Sequence, residues 1–344
     1  MLPKIISKKN FKGFVEALLA ENNVVAPVKK DGKYAFSEVE SFDEIALTYD
    51  TTILSPRKYF FPQEETLVKF KMGEGEPKAE SVVEAKPRVI LGIHPCDIAA
   101  TWLLDVVFSQ NPADPNYLEK RKRAILIGYN CGQPCDQYAF CKDMGTHKAE
   151  SGFDLMLTDL GDRYFVEIGS PEGEALLSAG DFEDADADDL KALQKFNDEK
   201  ETRFVKRIPY DTKFLPEILE ASHDSLVWEA IGRKCFSCGA CNLTCPTCYC
   251  FNIKDEVTAN LMEGARKRCW DSCQLKDFAA VAGGENFRKD RSARLRHRFF
   301  RKGKWIMERY GKLGCVGCGR CDRSCLAKIN SVEVYTQLAG DRRK

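Results

Sequence analysis

The sequence has no long apolar run. Its best stretch, AATWLLDVVF over 99–108, is short and carries Asp105, well below the roughly 18 apolar residues of a spanning helix. The opening MLPKIISKKNFKGF has no apolar core ahead of a small-residue cleavage site, so no secretory signal is expected. No Walker loop occurs, no GxGxxG follows a strand, and Gly283–Gly284 alone make no phosphate cradle. No two cysteines are adjacent, which removes a Cys-Cys-Gly motif. Histidine is scarce, with four in 344 residues; His147, His223 and His297 lack metal spacing, and His94 lies near a cysteine. Net charge is absent too, 52 Lys+Arg balancing 52 Asp+Glu. The expectation is a cytoplasmic protein without direct membrane insertion.

Cysteine is abundant instead. Sixteen in 344 residues fall short of the roughly 8–10% of a disulfide scaffold, and a chain this long does not need cross-links to fold. Twelve of them lie after residue 225, mostly in C-x-x-C spacing, the pattern of metal ligation in a reducing compartment. The charge balance divides at the same place. Residues 1–225 hold 28 Lys+Arg against 40 Asp+Glu, and residues 226–344 hold 24 against 12. Two modules, 1–225 and 226–344, are expected, separated by the acidic run DFEDADADD (181–189) and the charged stretch 197–207.

The first module has an α/β pattern. Phe11, Phe14, Val15, Leu18 and Leu19 recur at helical spacing. RVILGI (88–93) and AILIGYN (124–130) are short apolar runs expected as buried strands, with a helix over 98–108 between them. Residues 153–160 and 163–169 are expected as a hairpin turning at Gly161–Asp162. Residues 251–310 have few β-branched residues and many helix formers, so the second module is expected to be an all-helical dicluster ferredoxin domain.

Its chemistry lies in two runs. Cys235-x-x-Cys238-x-x-Cys241-x-x-x-Cys245-Pro246 has the ligand spacing of a bacterial-type ferredoxin, and Cys315, Cys318, Cys321 and Cys325 repeat it, with Leu326 in the proline position. Thiolates two residues apart wrap one backbone turn around a cluster corner, and soft sulfur suits iron. In two-cluster proteins the fourth cysteine of each run serves the other cube. One [4Fe–4S] cluster is therefore expected on Cys235, Cys238, Cys241 and Cys325, and another on Cys315, Cys318, Cys321 and Cys245. A zinc ribbon needs only two C-x-x-C pairs, not four cysteines at 2-2-3 spacing twice over.

Cys96 follows the strand 88–93, while Cys131, Cys135 and Cys141 follow the strand at 124–128. Neighbouring parallel strands converge at their carboxyl ends, so these four are expected to hold a third [4Fe–4S] cluster. The alternative is that they are buried free thiols. Cys248, Cys250, Cys269 and Cys273 either pack around the clusters or hold a fourth centre. The run RKDRSARLRHRFFRKGK (288–304) has ten Lys, Arg or His residues in seventeen. Nucleic-acid binding, a solvated face of Arg294, Arg298 and Arg301, partner docking and compensation of cluster charge all compete for it; docking or compensation is preferred, with no nucleic-acid partner.

GIHPCD (92–97), the NC…FC segment followed by GFDL (152–155), CPTCYC (245–250), WDSCQ (270–274), VAGGENFR (281–288) and CVGCGRC (315–321) together resemble the β subunit of cytoplasmic sulfhydrogenases and the iron–sulfur subunit of anaerobic sulfite reductase, members of one iron–sulfur family. The resemblance spans nearly the whole chain. It implies a hetero-oligomeric electron-transfer subunit without substrate chemistry. Such a protein works between a flavin- and NAD(P)H-binding partner and a catalytic partner: a hydrogenase, a sulfite reductase or a heterodisulfide-reductase-type module. The classes standing against it are a cluster-bearing nucleic-acid-binding protein and a cluster-based disulfide reductase.

Overall fold

The computed structural model describes residues 2–72 and 76–341. Among these, twelve strands form two sheets: β1 (Lys4–Ser7), β2 (Val24–Lys30), β3 (Lys33–Glu38), β4 (Glu64–Lys71), β5 (Lys78–Ser81), β6 (Arg88–Ile93), β7 (Ala124–Tyr129), β8 (Leu155–Asp159), β9 (Arg163–Ile168), β10 (Glu183–Asp184), β11 (Phe251–Val257) and β12 (Glu263–Trp270). No helix among the described residues is long and apolar enough to cross a membrane.

The large sheet runs β10-β1-β9-β8-β7-β6-β2-β3. Its centre, β2, β6, β7 and β8, is parallel, and β8–β9 is an antiparallel hairpin. Alternation along the strands divides the core. Val89, Leu91 and Ile127 pack with Phe11, Phe14, Val15 and Leu18 of helix Lys8–Glu21 on one face. Ile90 and Leu126 pack with Ile98, Leu104 and Phe108 of helix Pro95–Phe108 on the other. That helix is the crossover between β6 and β7, so the ends of these parallel neighbours open side by side.

The expectation of an all-helical second module is wrong. Residues 251–270 form the β11–β12 hairpin, and β12 pairs with β4 of the first half in a sheet of order β11-β12-β4-β5. The charged helix formers there pair across strands instead of along a helix. Arg266 bonds Asp255 at 2.8 Å, Lys267 bonds Glu64 and Glu256, and buried Arg268 meets Glu65 and Asp114. Such partners override weak local propensity. The rest of this half does contain helices: Leu226–Lys234, Arg291–Phe300 and Ser331–Gly340 pack through Trp228, Leu295, Phe299, Tyr335 and Leu338.

Candidate metal centres

Both cysteine runs share one backbone path. Helix Leu226–Lys234, capped by the Ser225 hydroxyl, delivers Cys235; Ser237 and Gly239 then take positive φ of 55° and 78° before the short helix Ala240–Leu243. In the second run Gly317 and Gly319 take φ of 63° and 71° before Arg320–Arg323. The coiling turns backbone N–H groups onto sulfur: Ser237 donates to Cys235 Sγ at 3.3 Å, Gly317 to Cys315 Sγ at 3.4 Å and Ile329 to Cys325 Sγ at 3.3 Å. Thr244 and Ser324, each preceding a fourth cysteine, bond each other at 3.0 Å and tie the runs together.

The structure gathers the cysteines crosswise. One cavity is lined by Cys235, Cys238, Cys241 and Cys325, a second by Cys245, Cys315 and Cys318, and Cys321 borders both. Among the described residues, no three His, Cys, Asp or Glu side chains converge as one bound ion requires. A single zinc draws every sulfur to about 2.3 Å from one point; here the thiols stand around cavities, as the corners of a cube need.

The four cysteines of the first half also come together. Cys96, in the first turn of helix Pro95–Phe108, packs with Cys131, Cys141 and Cys318. Cys135 lies 4.0 Å from His94 Nδ1, and His94 is buried against the Tyr49 ring. The loop bearing Cys141 is seated on the second run: Phe140 N donates to Gly317 O at 2.7 Å. A Cβ on Gly317 would stand 2.5 Å from Phe140 O, which demands glycine there as its φ does.

Charge decides whether these groups fit a cluster. Burial pushes the thiols of Cys241, Cys141 and Cys315 up to about 12 and that of Cys131 to about 11, so alone they would be neutral. Buried cations face them. Burial opposes the charge on Arg298, yet Cys241, Cys321 and Cys245 more than offset it, and its pKa stands well above the ordinary value. Lys302 sits in a π-helical turn, Arg301–Trp305, and donates to Thr247 Oγ1 at 2.6 Å; burial opposes its charge and Cys245 and Cys248 outweigh it. Lys200, fully buried, bonds Asn130; burial lowers its pKa, and the nearby Cys131 and Cys141 offset that only in part. A buried cation costs several kcal/mol without a countercharge, and a cube with four thiolates supplies negative charge. The donor set fits.

Arg298 faces Cys241, Cys321 and Cys245, where compensation of cluster charge by the basic run would need a cation, but Arg294 serves differently: its guanidinium bonds Gln274 O, Arg288 O and Ser237 Oγ. Both are buried, so the solvated-face alternative fails for them. Lys302 belongs to the same basic run, whereas Lys200, Asp97 and Arg320 carry no role in the sequence reading. A cation inside the second cysteine run was the available signal for Arg320. Of the leftover cysteines, all free thiols, Cys248 lies beside Cys245, Cys250 beside Cys273, and Cys269 lies 3.5 Å from Glu64.

Two comparisons bear on this geometry. The family model of the 4Fe-4S dicluster domain matches residues 234–329. Over 330 residues, 95% of this chain and 96% of the other, the sequence is 36% identical to sulfhydrogenase 2 subunit beta of Pyrococcus furiosus.

Proposed function

The chain belongs to the sulfhydrogenase β-subunit family, and from that premise we propose that this iron–sulfur electron-transfer subunit relays single electrons in a cytoplasmic hetero-oligomer. It works between a flavin- and NAD(P)H-binding partner and a catalytic redox partner. Cys235, Cys238, Cys241 and Cys325 hold one [4Fe–4S] cluster, Cys315, Cys318, Cys321 and Cys245 a second, and Cys96, Cys131, Cys135 and Cys141 a third. Residues 1–225 carry the third cluster and 226–344 the other two. Bound clusters take up and release one electron at a time.

The observation that carries this reading is continuity. Cys318 packs against Cys96 and Cys141 on one side, while Cys321 borders both C-terminal cavities on the other. The three cysteine sets thus form an unbroken series from the carboxyl ends of β6 and β7 to the surface. Around the outer cavity Cys238, Phe236 and Leu326 are exposed, an apolar rim that suits partner docking. Arg298 and Lys302 are held positive at fixed points along the series by the cysteines around them, and the Phe140–Gly317 contact keeps the first-half loop in register with the second run.

Iron and acid-labile sulfide per chain on anaerobically prepared protein, with EPR of the dithionite-reduced sample, test it. About twelve irons are expected, at four per cluster. About eight would leave Cys96, Cys131, Cys135 and Cys141 as packing and break the series at Cys318.

A further inference from the structure

Cys250 and Cys273 lie in neither run nor among the four first-half cysteines, and the hairpin brings them together. Cys250 immediately precedes β11, Cys273 follows β12, and Phe251 and Trp270 are the last pair of the ladder. Asp271 N donates to Cys250 O at 3.0 Å and continues the pairing toward the cysteines. The Cys250 and Cys273 thiols lie close enough to interact with one another, with the Cys273 backbone beside Cys250.

The surroundings are built for a charged sulfur. Asn242 Nδ2 donates to Cys273 Sγ at 2.9 Å, and Gln274 Nε2 lies at 3.6 Å. Buried Arg57 stands beside Cys248 and Cys250, stacked 3.8 Å over Trp270, and Arg298 faces Cys273. The neighbouring Cys250, with the Gln274 and Asn242 amides, holds the Cys273 thiol below the ordinary range against the effect of burial. Donors and cations around one of two touching thiols are what make a cysteine nucleophilic. The site is also wired to a cluster cavity through one side chain: the Asn242 amide touches Cys273 Sγ with its nitrogen and lies 3.8 Å from Cys241 Sγ with its oxygen.

We infer that Cys250 and Cys273 are a redox-active dithiol that closes to a disulfide and exchanges electrons with the cluster cavity lined by Cys241. The inference rests on the cluster reading above for its electron acceptor. As the S–S bond forms, each sulfur gives up one proton and one electron. The two electrons pass singly to two oxidised clusters, and the protons leave to solvent at half-exposed Cys250; reduction reverses every step. The pair stores two electrons together beside carriers that handle one, which suits a subunit fed by a two-electron donor. The Cys248 thiol lies instead beside Cys245, a cluster ligand in this reading, and Cys269 stands apart at Glu64; among the described residues no third ligating side chain joins the pair as one metal ion would need.

The test uses the full chain in its anaerobically purified complex, one portion reduced with dithionite and one oxidised with thionine. Both are acid-quenched, alkylated with iodoacetamide in denaturant and peptide-mapped. A Cys250–Cys273 cross-linked peptide in the oxidised portion alone is expected; both cysteines alkylated in that portion would overturn the inference. Cys250→Ser keeps a hydrogen-bond donor and leaves Cys273 in place. It should take up two fewer electrons per chain in a coulometric titration, with iron and sulfide per chain unchanged. An unchanged electron count sinks the idea, as does iron beyond about twelve per chain that is lost in Cys273→Ser. Failure of the cluster reading appears separately, as a low iron count in the unaltered protein.

Discussion

Arg320 and Asp97 form a two-bonded ion pair, 2.6 and 2.7 Å, with both side chains about 2% exposed or less. The guanidinium also bonds Thr52 O at 2.9 Å. The pair joins the second cysteine run to the residue after Cys96, so the two halves are clamped beside their cysteines. Removing one member of a buried pair leaves an uncompensated charge, at about 3–5 kcal/mol. Asp97→Asn should therefore lower the unfolding midpoint sharply, whereas Asp97→Leu with Arg320→Met should restore much of the loss. Denaturant unfolding of the three proteins decides it, and a double variant as weak as the single would contradict the clamp.

Arg298 and Arg294 lie one helical turn apart but should behave differently. Arg298 stands among Cys241, Cys321 and Cys245, whereas Arg294 bonds carbonyls and Ser237. Taking away a positive charge disfavours adding an electron. Arg298→Gln should lower a cluster midpoint by an amount equivalent to ~1–3 kcal/mol, or roughly 40–130 mV for one electron. Arg294→Gln should leave midpoints in place and reduce stability. EPR-monitored redox titrations of both variants provide the readout; equal shifts would refute the distinction.

The cysteine runs were legible because cluster spacing is local: residues two and three apart must coil around one corner. The strands ending at Ile93 and Tyr129 were legible as apolar runs, and with them the convergence of Cys96 and Cys131. The β11–β12 hairpin was not. Arg268 finds Glu65 across 203 positions and Asp114 across 154, and no window of local propensity sees such partners. The basic run was legible only as a set of alternatives. Charge alone allows a solvated stripe as readily as compensation of cluster charge, and the buried cysteines facing Arg298 and Lys302 lie on distant segments of the chain.

Gly317 is where the first-half cysteine loop meets the second run. Its φ of 63° and the 2.5 Å approach of a Cβ to Phe140 O both oppose substitution. Gly317→Ala should push the loop carrying Cys141 away, with a stability loss on the order of 1–3 kcal/mol. Iron should fall from about twelve toward about eight per chain. Gly311→Ala, at φ 73° with open space around its Cβ, is the control for backbone strain alone and should keep its iron.

His297 should set part of the acid sensitivity. It packs at 5.1 Å from the Trp305 ring, and burial, then Arg288 and Arg301, lower its pKa to about 4. The folded form therefore holds the ring neutral where the unfolded chain, near 6.5, binds a proton. As pH falls below about 6.5 the unfolded state gains protons first, so stability should drop between about pH 6.5 and 4 and level off below. His297→Gln removes that proton uptake. Its unfolding midpoint should fall less steeply than that of the parent over this window, while both run parallel above pH 7. Parallel curves throughout would show that His297 titrates alike in both states.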